Sequence, residues 1–308
     1  MTMRVADSVI GIDIGGTNIR IATVSEGGEI SLFEKASSSV LGKSNATKSL
    51  ADFIEDYINR HSLKRKIKAV SIGIPAIISR DRKGTVSCPN LKGLEGINIT
   101  DSIFERLLIP VYLDRDVNNL LISDMKTLKI DRRKTVCGFY IGTGFGNAIS
   151  INGEIYRGKN SAAGELGHIP LFSVTDKCTC DNIGCVETRC SGRYLEKLCS
   201  ENFPKADIHR IFSLYPHSKV LLEFVRNLAY PIATEITILD PDICIVAGGV
   251  TDMPDFPKET LIEEIYSKVR KPYPLKGLEI VFSTHNQQSG VYGSAAAAFY
   301  KLKKENHI

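Results

Sequence analysis

Apolar and polar positions follow two rhythms along this chain. Ser8 to Ile14 is a nearly unbroken apolar run, SVIGIDI, that closes on Asp13 and then Gly15-Gly16-Thr17-Asn18. A run of this length bounded by turn residues predicts a buried strand. Ile19 to Val24 is a second such run, and Glu26-Gly27-Gly28-Glu29 behind it is a hairpin signal. Glu29 to Lys35 reads as a third strand. From Ser44 to Arg60 the rhythm changes: Leu50, Phe53, Ile54, Tyr57 and Ile58 fall on one face at helical spacing. Ile67 to Ile74 predicts a strand stopped by Pro75, and Val111 to Leu113 another stopped by Asp114. The order β-β-β-α-β-α-β predicts a three-layer α/β domain.

The pattern then restarts. Thr135 to Ile141 is an apolar run ending in Gly142-Thr143-Gly144-Phe145-Gly146-Asn147, followed by Ala148 to Ile151 and a hairpin turn at Asn152-Gly153-Glu154. Strand, Gly/Thr turn, strand and hairpin therefore occur twice. Val220 to Leu239 is a long helical pattern, Ile243 to Val246 a short strand running into Gly248-Gly249, and Gly290 to Lys303 an alanine-rich helix. No low-complexity linker separates the halves, so helices are expected to join them.

Three groups of residues carry candidate chemistry. The first is the pair of Gly/Thr turns. Glycine lets backbone N–H groups approach an anion closely and take unusual dihedrals. Asp13, Gly15, Gly16, Thr17 and Asn18, with Gly142, Thr143, Gly144 and Gly146, suit two jaws on a polyphosphate, and Asp13 could hold magnesium through water. A plain hairpin turn is the competing reading of either turn alone. Neither is a Walker A loop, because no Gly-Lys-Ser/Thr follows, nor a Rossmann fingerprint, because a strand follows rather than a helix. The second group is Asp114-Arg115-Asp116, at a strand's end before a helix. Asp116 could accept a hydroxyl proton there, or either aspartate could be a helix N-cap.

The third group is HIPLFSVTDKCTCDNIGC, residues 168–185, which holds His168, Cys178, Cys180 and Cys185. Three thiolates and an imidazole offer a tetrahedral Cys3His zinc shell, with a cysteine-rich loop that holds no metal as the competing reading. Glu165 and Glu187 flank it, and carboxylates beside an imidazole suit sugar hydroxyls. Cys190 is left over, and Cys88, Cys137, Cys199 and Cys244 lie in apolar surroundings as core thiols. The 308 residues are 43% hydrophobic and 24% charged, with net charge +4. That charge is too mild for a nucleic-acid partner. The Lys64-Arg65-Lys66 run with Lys68 reads as a solvated edge. No run reaches the ~18 apolar residues of a membrane helix, and no signal peptide is seen, so a cytoplasmic location with reduced thiols is expected.

Together these motifs resemble the ROK family of bacterial sugar kinases and repressors, in order and over essentially the whole chain. Asp13-Ile14-Gly15-Gly16-Thr17 and Gly142-Thr143-Gly144-Phe145-Gly146 are similar to its two phosphate motifs. Gly164-Glu165-Leu166-Gly167-His168, Cys178-Thr179-Cys180 and Gly184-Cys185-Val186-Glu187 are similar to its zinc and sugar signature. Ile245-Val246-Ala247-Gly248-Gly249 resembles its adenosine turn, and Gly290 to Ala296 its C-terminal helix entry. The resemblance implies an actin-like ATPase fold: two ribonuclease-H-like α/β domains flanking a cleft, with a zinc-binding loop. The first would span 1–118, completed by the helix at 293–308, and the second 119–292. It implies ATP, Mg2+ and structural Zn2+, with Asp116 as general base on a sugar O6. By the same route Gly248 and Gly249 meet the nucleotide, and Asn90, Arg115, Asp116, Glu165, His168 and Glu187 meet the sugar. A homodimer would be in keeping.

Three positions depart from the family pattern. Asp181 stands where a glycine follows the second cysteine, Arg115 where a sugar-binding asparagine precedes the base, and Ala76 where Pro-Gly is usual. Gly73-Ile-Pro75-Ala76-Ile-Ile-Ser79, Ser87 to Leu91, Arg115 to Asn118 and Asp252 to Pro257 resemble most the D-allose kinase branch, which implies D-allose as substrate. Glucose, N-acetylmannosamine or a β-glucoside are the rivals within the family. Its repressors carry an N-terminal winged helix, for which a strand beginning near residue 8 leaves no room.

Overall fold

The computed structural model describes residues 8–42, 45–88, 91 and 93–305. In chain order the strands and helices are β1 (Ser8–Ile14), β2 (Asn18–Ser25), β3 (Ile30–Ser37), α1 (Ala46–Arg60), β4 (Ile67–Ile74), β5 (Ile77–Ile78), β6 (Thr85–Ser87), α2 (Ile99–Leu107), β7 (Val111–Arg115) and α3 (Asp116–Thr127). Then come β8 (Val136–Ile141), β9 (Phe145–Ile151), β10 (Glu154–Ile155), α4 (Gly192–Asn202), α5 (Ile211–Leu214), α6 (Lys219–Leu239), β11 (Ile243–Ala247), α7 (Lys258–Lys268), β12 (Glu279–Phe282) and α8 (Ser289–Glu305).

The chain folds into two compact units: residues 1–130, 157–162 and 286–308, and residues 131–156 and 163–285. Each is built on a five-stranded sheet, ordered β3-β2-β1-β4-β7 in the first and β10-β9-β8-β11-β12 in the second. In both, the first three strands are antiparallel and the last two join in parallel. The echo seen along the sequence is thus one topology used twice.

In the first unit, α1 buries Leu50, Ile54, Tyr57 and Ile58 against one sheet face, with Phe53 at its margin. On the other face α8 packs Val291, Ala295 and Ala298 onto Val9, Ala22 and Ala69. The helix comes so near that a Cβ on Gly11 would stand 2.3 Å from the Val291 carbonyl oxygen. In the second unit α6 carries Leu221, Phe224, Leu228, Ile232 and Ile236 at the 3.6-residue period, and these meet Phe139, Ile141 and Val246 of the sheet.

Several expectations are corrected. Asp114 does not stop β7, which runs to Arg115, because two arginines neutralise its carboxylate in place. Neither Asp114 nor Asp116 is a helix N-cap. Arg115 holds that position without a side-chain cap, and Asp116 is the first residue of α3. That helix lies whole in the first unit rather than ending it at residue 118, because it packs against α8 through Gly293. The chain passes between units through non-helical segments, not helices. The helices are used instead to cover the sheets. The predicted start of α1 at Ser44 lies outside the described residues, and α2, α4, α5, α7 and β12 are further elements the pattern did not delimit.

Candidate functional site

The Gly/Thr turns stand at the same place in each unit, between the first two strands of the sheet. In the first, the Gly15 N–H donates to the Asn18 carbonyl at 2.8 Å. Ser38 holds the turn from outside: its hydroxyl donates to the Gly15 carbonyl at 2.6 Å, and its N–H to that of Thr17 at 2.9 Å. Gly16 and Thr17 are exposed. Asp13, at the end of β1, pairs through Oδ2 with Arg20 at 3.0 Å. Burial raises its pKa, and Arg20 only partly offsets that. A Cβ on Gly290 would come within 2.6 Å of the Asp13 carboxyl carbon, so glycine there lets α8 begin beside the carboxylate.

In the second turn the Gly142 N–H donates to Gly144 O at 3.1 Å, and two further carbonyls accept from the start of α4. Gly192 N–H donates to Gly142 O at 2.7 Å, and Arg193 N–H to Thr143 O at 3.1 Å. Gly248 sits at φ +114, where its Cβ would strike the Ile141 carbonyl at 2.5 Å, and a Cβ on Gly249 would meet open space. The Gly142 and Gly248 turns are therefore neighbours at the ends of β8 and β11. None of Gly15, Gly16, Gly142, Gly144 or Gly146 has a positive φ, so the unusual dihedrals expected of them are not used. What they supply is a bare, approachable backbone.

The cysteine loop brings its four ligands together. His168 Nδ1, and the sulfurs of Cys178, Cys180 and Cys185, all lie within 4.8 Å of one another. Cys178 Sγ is 3.5 Å from His168 Nδ1, and Cys180 Sγ is 3.6 Å from Cys185 Sγ. Tetrahedral zinc with ordinary bond lengths asks for about 3.5 Å between N and S and about 3.8 Å between two S atoms, so the residues fit the ion. Burial and the adjoining Cys180 and Cys178 push the Cys185 thiol up, an arrangement that a divalent cation reverses. The other ring nitrogen, His168 Nε2, faces Glu165 Oε2 at 3.6 Å. Glu187 also lies against this loop. Its Oε1 accepts from Thr179 at 3.3 Å, and its Oε2 accepts from the Phe145 N–H at 3.3 Å. A Cβ on Gly144 would stand 2.3 Å from that same Oε2. The metal loop, a sugar candidate and the second turn thus meet in one carboxylate.

Asp116 is half-buried at the start of α3, and its Oδ1 accepts from the Val117 N–H at 2.9 Å. Arg115 is buried. Asn90, the remaining sugar candidate, lies outside the described residues. Sequence reasoning missed Arg82 and Arg157, which both ion-pair with Asp114 at 2.7 and 2.6 Å. It also missed Ser38, and the buried Glu235 that accepts from Asn147 Nδ2 at 2.9 Å. None of these stands in a motif, since each partner is remote in sequence.

The ROK family profile matches residues 9–301. The chain belongs to the ROK family. Among ROK relatives, the N-acetyl-D-glucosamine kinase of Photobacterium profundum is 29% identical over 313 residues, covering 96% of this chain and 99% of the relative. The glucokinase of Halalkalibacterium halodurans is 26% identical over 310 residues, covering 92% of each. The crystal structure of a ROK glucokinase from Streptomyces griseus, in complex with glucose and AMPPNP, superimposes with a TM-score of 0.76 at 22% identity, covering 94% of this chain and 98% of that one. The fold is therefore the actin-like ATPase type of α/β fold that ROK proteins share.

Proposed function

We propose that this chain is an ATP-dependent sugar kinase that transfers the γ-phosphoryl group of ATP to O6 of D-allose, giving D-allose 6-phosphate and ADP. The observation that carries the reading is the half-exposed carboxylate of Asp116 at the C-terminal end of β7, in a ROK chain with two bare Gly/Thr turns. Strand ends of this kind are where open α/β sheets place their chemistry.

The Val117 N–H donates to Asp116 Oδ1 and orients the carboxylate, which would accept the proton of the 6-hydroxyl. As the new O–P bond forms, that proton passes to Asp116, and the bond to the β–γ bridging oxygen breaks with ADP leaving. Gly15, Gly16, Thr17 and Asn18, with Gly142, Thr143, Gly144 and Gly146, form the turns that would receive the nucleotide's phosphates, and Gly248 and Gly249 would meet its nucleoside. Asp13 would hold Mg2+ through water, supplying positive charge to the phosphates. Zinc held by His168, Cys178, Cys180 and Cys185 would fix the loop and with it the positions of His168, Glu165 and Glu187, the groups that would meet sugar hydroxyls. Asn90 and Arg115 complete the sugar shell by the family resemblance.

D-allose is preferred because Gly73 to Ser79, Ser87 to Leu91 and Arg115 to Asn118 carry the D-allose branch pattern. N-acetyl-D-glucosamine is the second reading, favoured by the 29% identity to a kinase of that name. ADP release measured across D-allose, D-glucose, D-mannose, N-acetylmannosamine and N-acetylglucosamine decides between them. The highest kcat/KM is expected with D-allose; a higher value with N-acetylglucosamine would reverse the assignment. Asp116→Asn is expected to lower kcat by about 10²–10⁴-fold. Near wild-type turnover in that variant would remove Asp116 from the base role.

A further inference from the structure

We propose that Asp114, with Arg82 and Arg157, is a positioning residue for Asp116, an inference that rests on the general-base reading above. Asp114 is only 5% exposed, and its two oxygens are divided between two tasks. Oδ2 takes the arginines: Arg82 Nη2 at 2.7 Å, and Arg157 Nη2 and Nε at 2.6 and 3.2 Å. Oδ1 takes the corner of the chain: the Arg115 N–H at 2.9 Å and Asn118 Nδ2 at 2.8 Å.

Those last two bonds bracket Asp116. One anchors the residue before it, and the other anchors the residue two places after it. The β7–α3 corner that carries Asp116 is thus tied on both sides to the Asp114 carboxylate. That carboxylate is fixed in turn from two remote segments. Arg82 comes from the turn between β5 and β6, and it donates a further bond to the Leu113 carbonyl at 2.9 Å. Arg157 comes from the 157–162 segment, which returns to this unit from the other. The negative charge matters here as well as the shape. An amide at position 114 could still accept from Arg115 and Asn118, but it could not hold two guanidinium groups side by side.

Displacing a reacting group by about 1 Å costs on the order of 10²-fold in rate. The signature of positioning is a fall in kcat that leaves substrate binding alone. Asp114→Asn, Arg157→Gln and Arg157→Lys are compared with wild type for kcat, for KM of sugar and of MgATP, and for folded fraction by near-ultraviolet circular dichroism. Asp114→Asn and Arg157→Gln are expected to lower kcat by about ten- to a hundredfold, with both KM values within about threefold. Arg157→Lys, which keeps the charge, is expected to recover part of the loss.

The proposal is overturned if kcat per folded molecule is unchanged, or if kcat and KM move together in all three variants. Should Asp114→Asn fail to fold, Arg157→Gln decides alone, because Arg82 still pairs the carboxylate. Asp116→Asn is run beside them. If it keeps wild-type turnover, the base assignment fails; if it is inactive while the Asp114 and Arg157 variants are unimpaired, only the positioning role fails.

Discussion

At the scale of single residues, the most informative departure from the family pattern is Asp181. The ROK signature usually has glycine there, and the structure gives the reason: Asp181 sits at φ +70, in the left-handed region where glycine rests without strain and aspartate is among the better tolerated substitutes. Its N–H donates to the Cys178 carbonyl at 3.1 Å, so the strained residue closes the turn that carries Cys178 and Cys180. The side chain is exposed and pairs with Lys177 at 3.5 Å. Asp181→Gly therefore removes strain while adding freedom to the unfolded chain, and these oppose one another. Relief of a left-handed conformation, about 1 kcal/mol, would be the larger if zinc closes the loop as proposed. Calorimetry of the zinc-loaded variant is expected to show a slightly raised Tm, and metal analysis one zinc per chain, as in wild type. A lowered Tm, or a loss of zinc, would show that the aspartate side chain itself supports the loop.

At the scale of elements, α6 explains Cys190, the cysteine outside the His168, Cys178, Cys180 and Cys185 cluster. Pro231 lies inside this 21-residue helix. It has no N–H to give the carbonyl four residues back, that of Asn227. Cys190 takes the vacant place: its Sγ lies 3.4 Å from the Asn227 oxygen, and burial pushes its thiol up to about 12, so it stays a protonated donor. Cys190→Ala is expected to cost about 1–2 kcal/mol in denaturant unfolding, from lost packing and a buried carbonyl left without its donor. Pro231→Ala restores the helical N–H, so the same cysteine substitution should cost less in that background. A double-mutant cycle with no coupling between the two positions would refute the pairing. The sequence showed that Cys190 stood outside the candidate metal ligands and that Pro231 fell within a helical pattern. It could not show that they answer each other, because 41 residues separate them and only the packed helix brings them together. The same limit hid Arg82 and Arg157 from a reading that found Asp114 and Asp116. Local runs and motifs carry strands, turns and ligand sets, whereas partners supplied across the fold leave no local mark.

At the scale of the whole molecule, the repeated strand order was legible because both halves use the same rhythm of apolar runs and glycine turns. Their electrostatics were not, because they depend on which carboxylates become buried and with whom. The two units differ here in sign. In the first, burial alone would raise the Asp114 pKa, but Arg82 and Arg157 outweigh it and hold it at about 2, below the usual 3.8. A depressed folded pKa gives stability that is present above the unfolded value and is lost as pH falls through the folded one. The shift corresponds to about 2 kcal/mol, offset in part by the burial that also lowers the Arg82 pKa. In the second unit Glu235 is buried with hydrogen bonds from the Asn147 amide and the Cys137 thiol but, among the described residues, no cation to offset burial, and desolvation raises its pKa above the usual 4.5. A raised carboxylate pKa has the opposite sign: the cost of burying it is present at neutral pH and fades as pH falls toward 4.5. Thermal unfolding of Glu235→Gln and Asp114→Asn across pH 7 to 2 should therefore diverge. Glu235→Gln is expected to melt above wild type at pH 7, with its advantage shrinking by pH 4.5. Asp114→Asn is expected to melt well below wild type at pH 7, with its deficit persisting to about pH 4 and narrowing only as the pH approaches 2. A deficit for Asp114→Asn that closes already between pH 7 and 5 would mean that its arginine pairs do not hold the carboxylate in its charged form. An unchanged gap for Glu235→Gln over the same range would mean that Glu235 is ionised in the folded protein.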